Sequence, residues 1–234
     1  MKIRIKFSKH GSMKFIGHLD IMRYFQKAMR RADIDIRYSE GFSPHQIMSF
    51  AAPLGVGIES NAEYFDIEVN STQDSAAMLE RLNACMVEGI RLLSWRLLPD
   101  DSKPAMSIVT AADYILRFRE GYEPEDTEAF FAELDSFYRQ EKIPVTKPTK
   151  KGSRELDLKA LVYDLHRVGE KGIFLSVSTG STDNLKPELV LQTCYEQSGR
   201  AYSPFTFQIE REEVYGLTAD GKQLALEAFG KDLV

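Results

Sequence analysis

Three of the chain's four histidines, His10, His18 and His45, fall within its first 45 residues. An imidazole titrates near neutrality, so each is a candidate for proton transfer. His45 is the most constrained of them. It stands in the stretch YSEGFSPHQIMSFAAPLGVGIES, residues 38–60. Pro44 restricts Ser43 to an extended backbone, and Gly41 permits a left-handed one. The loop Glu40, Gly41, Phe42, Ser43, Pro44 and His45 therefore has a set shape and presents its histidine. One chemistry this allows is general acid–base work by His45 or His18 with Tyr38 nearby and Arg23 or Lys14 on a phosphate. The other reading is architectural: Ser43 and Glu40 are available to hydrogen-bond His45 and hold the loop together. His18 opens the helix-start motif His18, Leu19 and Asp20, where it could equally cap or pack. His10 lies in a polar turn, and His166 reads as a packing or surface residue.

The second set is basic. On a helix over residues 18–33, Arg23, Lys27, Arg30 and Arg31 fall within an arc of about 100°, opposite an apolar stripe of Met22, Phe25, Met29 and Ala32. The arc suits phosphate, and it is equally what the solvated side of an amphipathic helix looks like. Upstream, KIRIKFS alternates, with Lys2, Arg4 and Lys6 on one side and Ile3, Ile5 and Phe7 on the other. Lys9 and Lys14 follow. If these cations converge they make an anion-binding surface; alternatively the strand cations pair across to Asp66 and Glu68. A further basic segment holds Lys147, Lys150, Lys151 and Arg154, most simply a hairpin tip.

Composition narrows the classes. The 234 residues are 43% apolar and 28% charged, as in ordinary globular proteins. No apolar run approaches the roughly 18 residues of a membrane helix, and the start is a strand pattern rather than a signal peptide. A cytoplasmic protein is expected. Residues 1–60 hold ten Lys/Arg against five acids, while the whole chain is at −5. That basic segment hints at an anionic partner. Two distant cysteines, Cys85 and Cys194, are too few for an iron–sulfur cluster or a cysteine zinc site. His18 and Asp20, two apart, do not share a helix face. No metal and no cofactor are expected. GVG at 55–57 lacks the Gly-Lys-Ser/Thr ending of a P-loop, and no GxSxG is present.

The elements that position these residues run β-α-β-β-α-β twice. In the first half they are KIRIKFS, the 18–33 helix, IDIRY with IMSFAA, EYFDIEVN, a helix over 72–86 with Thr72 as N-cap, and IRLLSWRLLP. After DDSKPA the pattern restarts with VTAADYILRF, a helix in EPEDTEAFFAELDSFYRQ, IPVTKPT, GIFLSVST, a helix in KPELVLQTCYEQ, and FTFQIEREEVY. Residues 150–170 resist assignment. The prediction is an α+β fold of two tandem ferredoxin-like (βαββαβ) domains with antiparallel sheets, residues 1–103 and 104–234. In each, both helices cover one sheet face and leave the other open. Lys2, Arg4 and Lys6 would lie on that open face.

The segment from Phe7 to Val69 also resembles a known family. Its F-x-K-x-G opening, HLD, the RRA helix end, YSEGFSPH, SFA-x-PL-x-VG-x-ES and E-x-x-D together are similar to the DUF2344 family of radical SAM-linked proteins. VTAADY, KKGSRELDL and FTFQIEREEVY extend the likeness more loosely. Gln46 departs from the pattern, where the family carries proline with a basic residue nearby. The resemblance implies a B12-binding-type radical SAM protein as partner, with the cluster on that partner. A looser, fold-level likeness is to the RAMP-type ferredoxin-like domains that bind CRISPR RNA. The leading expectation is a non-catalytic substrate-binding or adaptor protein presenting RNA or a ribonucleoprotein. A metal-independent endoribonuclease or RNA-modifying enzyme, and a protein–protein scaffold using MSFAAPLGV, are the alternatives.

Overall fold

The computed structural model describes residues 1–149, 152–180 and 183–234. Lys150 and Lys151 of the second basic segment lie outside them. The chain divides into two compact units: Met1–Thr110 with Arg211–Val234, and Ala111–Glu210. A division after residue 103 assigns 211–234 to the second half, whereas in the structure these residues belong to the first unit. Both units combine helices with antiparallel strand pairs, an α+β architecture.

In the first unit, β1 (Lys2–Lys9) lies antiparallel between β3 (Glu59–Glu68) and β4 (Ile90–Leu97). The short β2 (Met48–Phe50) pairs with β3. Alternation along β1 sends Ile3, Ile5 and Phe7 into one core with Phe25 and Met29 of α1 (His18–Arg31) and Met78 and Leu82 of α2 (Ser75–Asn83). Phe25 is the centre of this core. Its ring lies 4.7 Å from both Phe7 and Phe65, and its burial contributes about 1.5–3 kcal/mol. Ile21 is buried in the stripe, while Met22 is only half-buried.

Helix ends follow local chemistry. α1 stops because Asp33 adopts φ +50°. The Ile34 N–H then reaches the Met29 carbonyl at 2.9 Å and the Asp33 N–H the Arg30 carbonyl at 3.2 Å, satisfying two orphan acceptors. α2 is capped by Asp74, which accepts from Ala77 N–H, and not by Thr72. Thr72 instead donates to the Gln73 carbonyl.

The far face of β1 is covered, contrary to the open face expected. Arg4 is 0% exposed. Its Nε and Nη2 donate to the two Asp66 oxygens at 2.8 and 3.0 Å, and its Nη1 donates to the Leu226 carbonyl. Lys6 Nζ lies 2.7 Å from Glu213 and 2.9 Å from Glu227. Lys2 donates to the carbonyls of Asp100 and Ser102. Residues 211–234 therefore close this side of the first unit, with carboxylates on β10 (Phe207–Leu217) and on the 3₁₀ turn Leu226–Phe229. Arg4 does pair with Asp66, but Glu68 pairs with Arg37 and not with β1.

In the second unit, β5 (Val109–Phe118) runs antiparallel to β9 (Gly172–Ser178), and β9 to β8 (Val162–Val168). α3 (Thr127–Tyr138) and α4 (Pro187–Gln197) bury Phe130, Leu134, Val190 and Leu191. IPVTKPT forms β6 (Pro144–Thr149) in a separate hairpin with β7 (Gly152–Asp157). Within 150–170, the described residues from Gly152 on form β7, a 3₁₀ turn and β8. His166 stacks on Phe174 and pairs with Asp164.

Two outcomes follow. Asp66→Ala leaves a buried guanidinium without its carboxylate and is expected to cost about 3–5 kcal/mol in urea denaturation, whereas Arg4→Met paired with Asp66→Leu costs far less. Burial pulls the Lys6 ammonium down, but the bonds from Glu213 and Glu227 outweigh this and leave it above its ordinary 10.5. Its contribution to stability is full below about pH 10.5 and is lost as pH rises through the folded value. Burial likewise opposes ionisation of Glu227, yet the Lys6 bond holds its carboxyl below 4.5. That contribution is present above pH 4.5 and fades in acid. Lys6→Met should flatten the alkaline limb of a melting-temperature profile; an unchanged limb would contradict this assignment.

Candidate binding surface on the first unit

α1 buries Ile21, Phe25, Ala28 and Met29 and so turns Arg23, Lys27, Arg30 and Arg31 to solvent. Arg23 reaches Asp20 at 3.5 Å, with both side chains about two-thirds exposed. Such a pair is worth roughly 0–1 kcal/mol and leaves the cation available. Lys27 makes no ion pair or hydrogen bond among the described residues. Arg31 donates to the Cys85 carbonyl and lies over the Tyr24 ring.

The loop 39–45 is closed at its neck. Ser39 N–H donates to the His45 carbonyl at 2.8 Å, and His45 N–H donates to Ser39 Oγ at 3.1 Å. Ser39 Oγ also lies 2.9 Å from His45 Nδ1. Ser39 Oγ thus bonds both the backbone and the ring of His45. Gly41 at φ +107° turns the tip, where Phe42 is fully exposed at 112%. The next residue seats the loop. Gln46, 5% exposed, donates from Nε2 to the Gln26 carbonyl at 3.2 Å and to Tyr38 Oη at 3.4 Å. Arg30 Nε donates to the same Gln26 carbonyl at 3.3 Å. The base of the loop and the basic arc therefore meet at one turn of α1. Gln46 makes that junction.

A third edge comes from the 3₁₀ turn Gly11–Phe15 and residues 51–57, joined by a Gly57 N–H to Lys14 carbonyl bond of 2.8 Å. The turn is anchored by His10 N–H on the Gly89 carbonyl. Gly89 has φ +89°, and a Cβ there would sit 2.6 Å from the His10 oxygen, so only glycine fits. Phe15, Leu19 and Val56 are exposed at 64%, 60% and 61%, whereas Phe50 and Ala51 of the same apolar run are buried.

The candidate residues thus separate. Arg23, Lys27, Arg30 and the loop 40–45 come together. Lys2, Arg4 and Lys6 do not join them. Lys14 is held by Glu59 at 3.1 Å. Lys9, read as a further phosphate contact, is 3% exposed; burial lowers its ammonium below the ordinary value, with Glu63 opposing. His18 packs its ring edge on Phe50 at 5.2 Å. His45 finds its ring partners in its own loop, Ser39 and the Ser43 carbonyl. Tyr38 lines a depression with Asp33, Asp35, Ser71 and Arg81, and neither His45 nor His18 lines it. Hydrogen bonds from Asn70 and Ser71 hold the Asp35 carboxyl below its usual range. Of the exposed apolar residues, Val56 lies in the MSFAAPLGV run of the scaffold reading, whereas no sequence reading puts Phe15 at the surface. Leu19, off the period of the buried α1 stripe, is the visible signal for this edge. Cys85 is half-buried, and burial pushes the Cys194 thiol up to about 12, away from thiolate chemistry.

Ser39→Ala removes both side-chain bonds of the neck. Amide exchange over residues 40–45 is expected to quicken by about 5–10-fold, with global stability changed by under about 1.5 kcal/mol, measured by hydrogen-exchange mass spectrometry.

A comparison with curated proteins finds no match. The family model described as an uncharacterized protein conserved in bacteria (DUF2344) matches residues 2–187, a span that includes α1, the loop 39–45 and Gln46. This chain belongs to the DUF2344 family.

Proposed function

We propose that the chain is a non-catalytic binding or adaptor protein. It holds RNA or a ribonucleoprotein on α1 and the loop 39–45 for a B12-binding-type radical SAM partner. The observation that carries this reading is the Gln26 carbonyl, which takes both Gln46 of the loop base and Arg30 of the basic arc. Exposed cations and an exposed aromatic loop are thereby built into one surface, and a polyanion with accessible bases suits both. The partner half of the reading rests on the family resemblance. It also fits the cysteines, since two thiols are too few to hold an iron–sulfur cluster.

The frame supports the ferredoxin-like reading of each unit. In the first, β4, β1 and β3 are neighbours and β2 lies beyond β3. In the second, β5, β9 and β8 follow the same 1-3-2 order, with β10 beside β5. No helix among the described residues is long and apolar enough to cross a membrane, in keeping with action in the cytoplasm. A protein-only scaffold is the second reading, favoured by exposed Phe15, Leu19 and Val56. A histidine-based nuclease has less behind it, because His45 is engaged by its loop and His18 by Phe50.

The test is RNA affinity against salt, by fluorescence anisotropy. Wild-type binding should weaken steeply between 50 and 200 mM salt. The combined change Arg23→Glu, Lys27→Glu, Arg30→Glu should reduce the slope of log K against log salt by about 2, since each single-strand phosphate contact contributes about 0.7. No RNA binding by the protein, alone or with its partner, overturns the reading.

A further inference from the structure

We infer that Phe42 is a base-stacking finger, and that the strand this surface takes is single-stranded RNA. The inference rests on the RNA reading above and adds the state of the strand. A phenyl ring exposed at 112% touches almost nothing in its own chain. Exposure of one ring is not unusual by itself, but this one stands on a loop seated beside the α1 cations, where its face is open to a base.

The loop that carries the ring is closed at its neck. The neck bonds between Ser39 and His45, Gly41 at φ +107° and Pro44 fix the loop that carries it. Much of the ordering cost of binding is therefore met before a ligand arrives. The neck is seated on Gln26, beside Lys27 and Arg30. A strand whose phosphates lie on the α1 cations can bring a base to the loop without leaving the surface.

The chemistry selects the ligand's state. In a duplex the base faces are stacked on one another, and a single ring on a loop tip has no access to them. An unpaired base has a free face, and stacking on an aromatic side chain tolerates any base. The tip's surroundings disfavour a protein pocket as the occupant. Glu40, Gly41, Ser43 and Pro44, all exposed, flank the ring, whereas anchors in protein interfaces sit within an apolar patch. The exposed apolar residues Phe15, Leu19 and Val56 belong to the 3₁₀ turn, the α1 start and the 51–57 segment, not to this loop.

The test compares the full chain with Phe42→Ala and Phe42→Tyr, using an unstructured oligouridine and a blunt RNA duplex of equal charge. Because Phe42 makes no core contact, both variants should fold as the wild type does. The expected result is a loss of about tenfold in oligouridine affinity for Phe42→Ala, recovery with Phe42→Tyr, and no change on the duplex. If the wild type binds oligouridine and Phe42→Ala binds it equally well, the stacking role is overturned while the RNA reading stands. If Phe42→Ala loses only copurification with a protein partner, the finger belongs to a protein interface and the inference falls. If the wild type binds neither RNA, the underlying reading falls with it.

Discussion

The rest of the first unit is organised around Arg4. A guanidinium removed from water costs several kcal/mol unless its donors are met. Here they are met by both oxygens of Asp66 and the carbonyl of Leu226. Asp66 in turn accepts the Ala105 N–H at 2.7 Å. One buried charge therefore fixes β1 to β3, to the start of the short helix Ala105–Ile108, and to the 3₁₀ turn at Leu226. Beside it, Lys6 is shared by Glu213 and Glu227, and Tyr64 donates to Glu213 at 2.7 Å. Burial and that carboxylate raise the Tyr64 phenol, so it stays a donor. Leu226, Glu213 and Glu227 come from 211–234, which ties that segment to the first unit.

This constraint decides where the surface can be. Residues 1–60 carry a positive excess, but most of it is consumed inside the unit. Lys2, Arg4, Lys6 and Lys14 have partners, Lys9 is buried, and Arg37 meets Glu68. The cations left at the surface are those of α1. Self-pairing of the β1 face and exposure of the α1 face are two results of one arrangement of charge.

The loop 39–45 adds shape to that charge. Its histidine serves first as a neck partner for Ser39. A side chain that fixes a loop can matter to binding as much as one that touches a ligand, since it removes disorder the ligand would otherwise have to remove. Gln46 does the same for the junction with α1 and has no charge of its own.

Several features were legible in the residues. The alternation of β1 and β3 and the apolar stripe of α1 have the periods of a strand and a helix, and both follow from local backbone geometry. The shape of the 39–45 loop was legible from Gly41 and Pro44 for the same reason. The α2 cap was misplaced because Thr72 and Asp74 are both good caps, and only the path of the chain chooses Asp74. Which cations stay free was not legible at all. Arg4 and Lys6 meet partners more than 200 residues away. Coulomb energy depends on spatial separation and on burial, and neither is written in the period of a strand. The sequence by itself determined the elements, the basic arc and the constrained turn. The tertiary structure alone decided that β1's charges face inward and that the arc and the loop share a carbonyl.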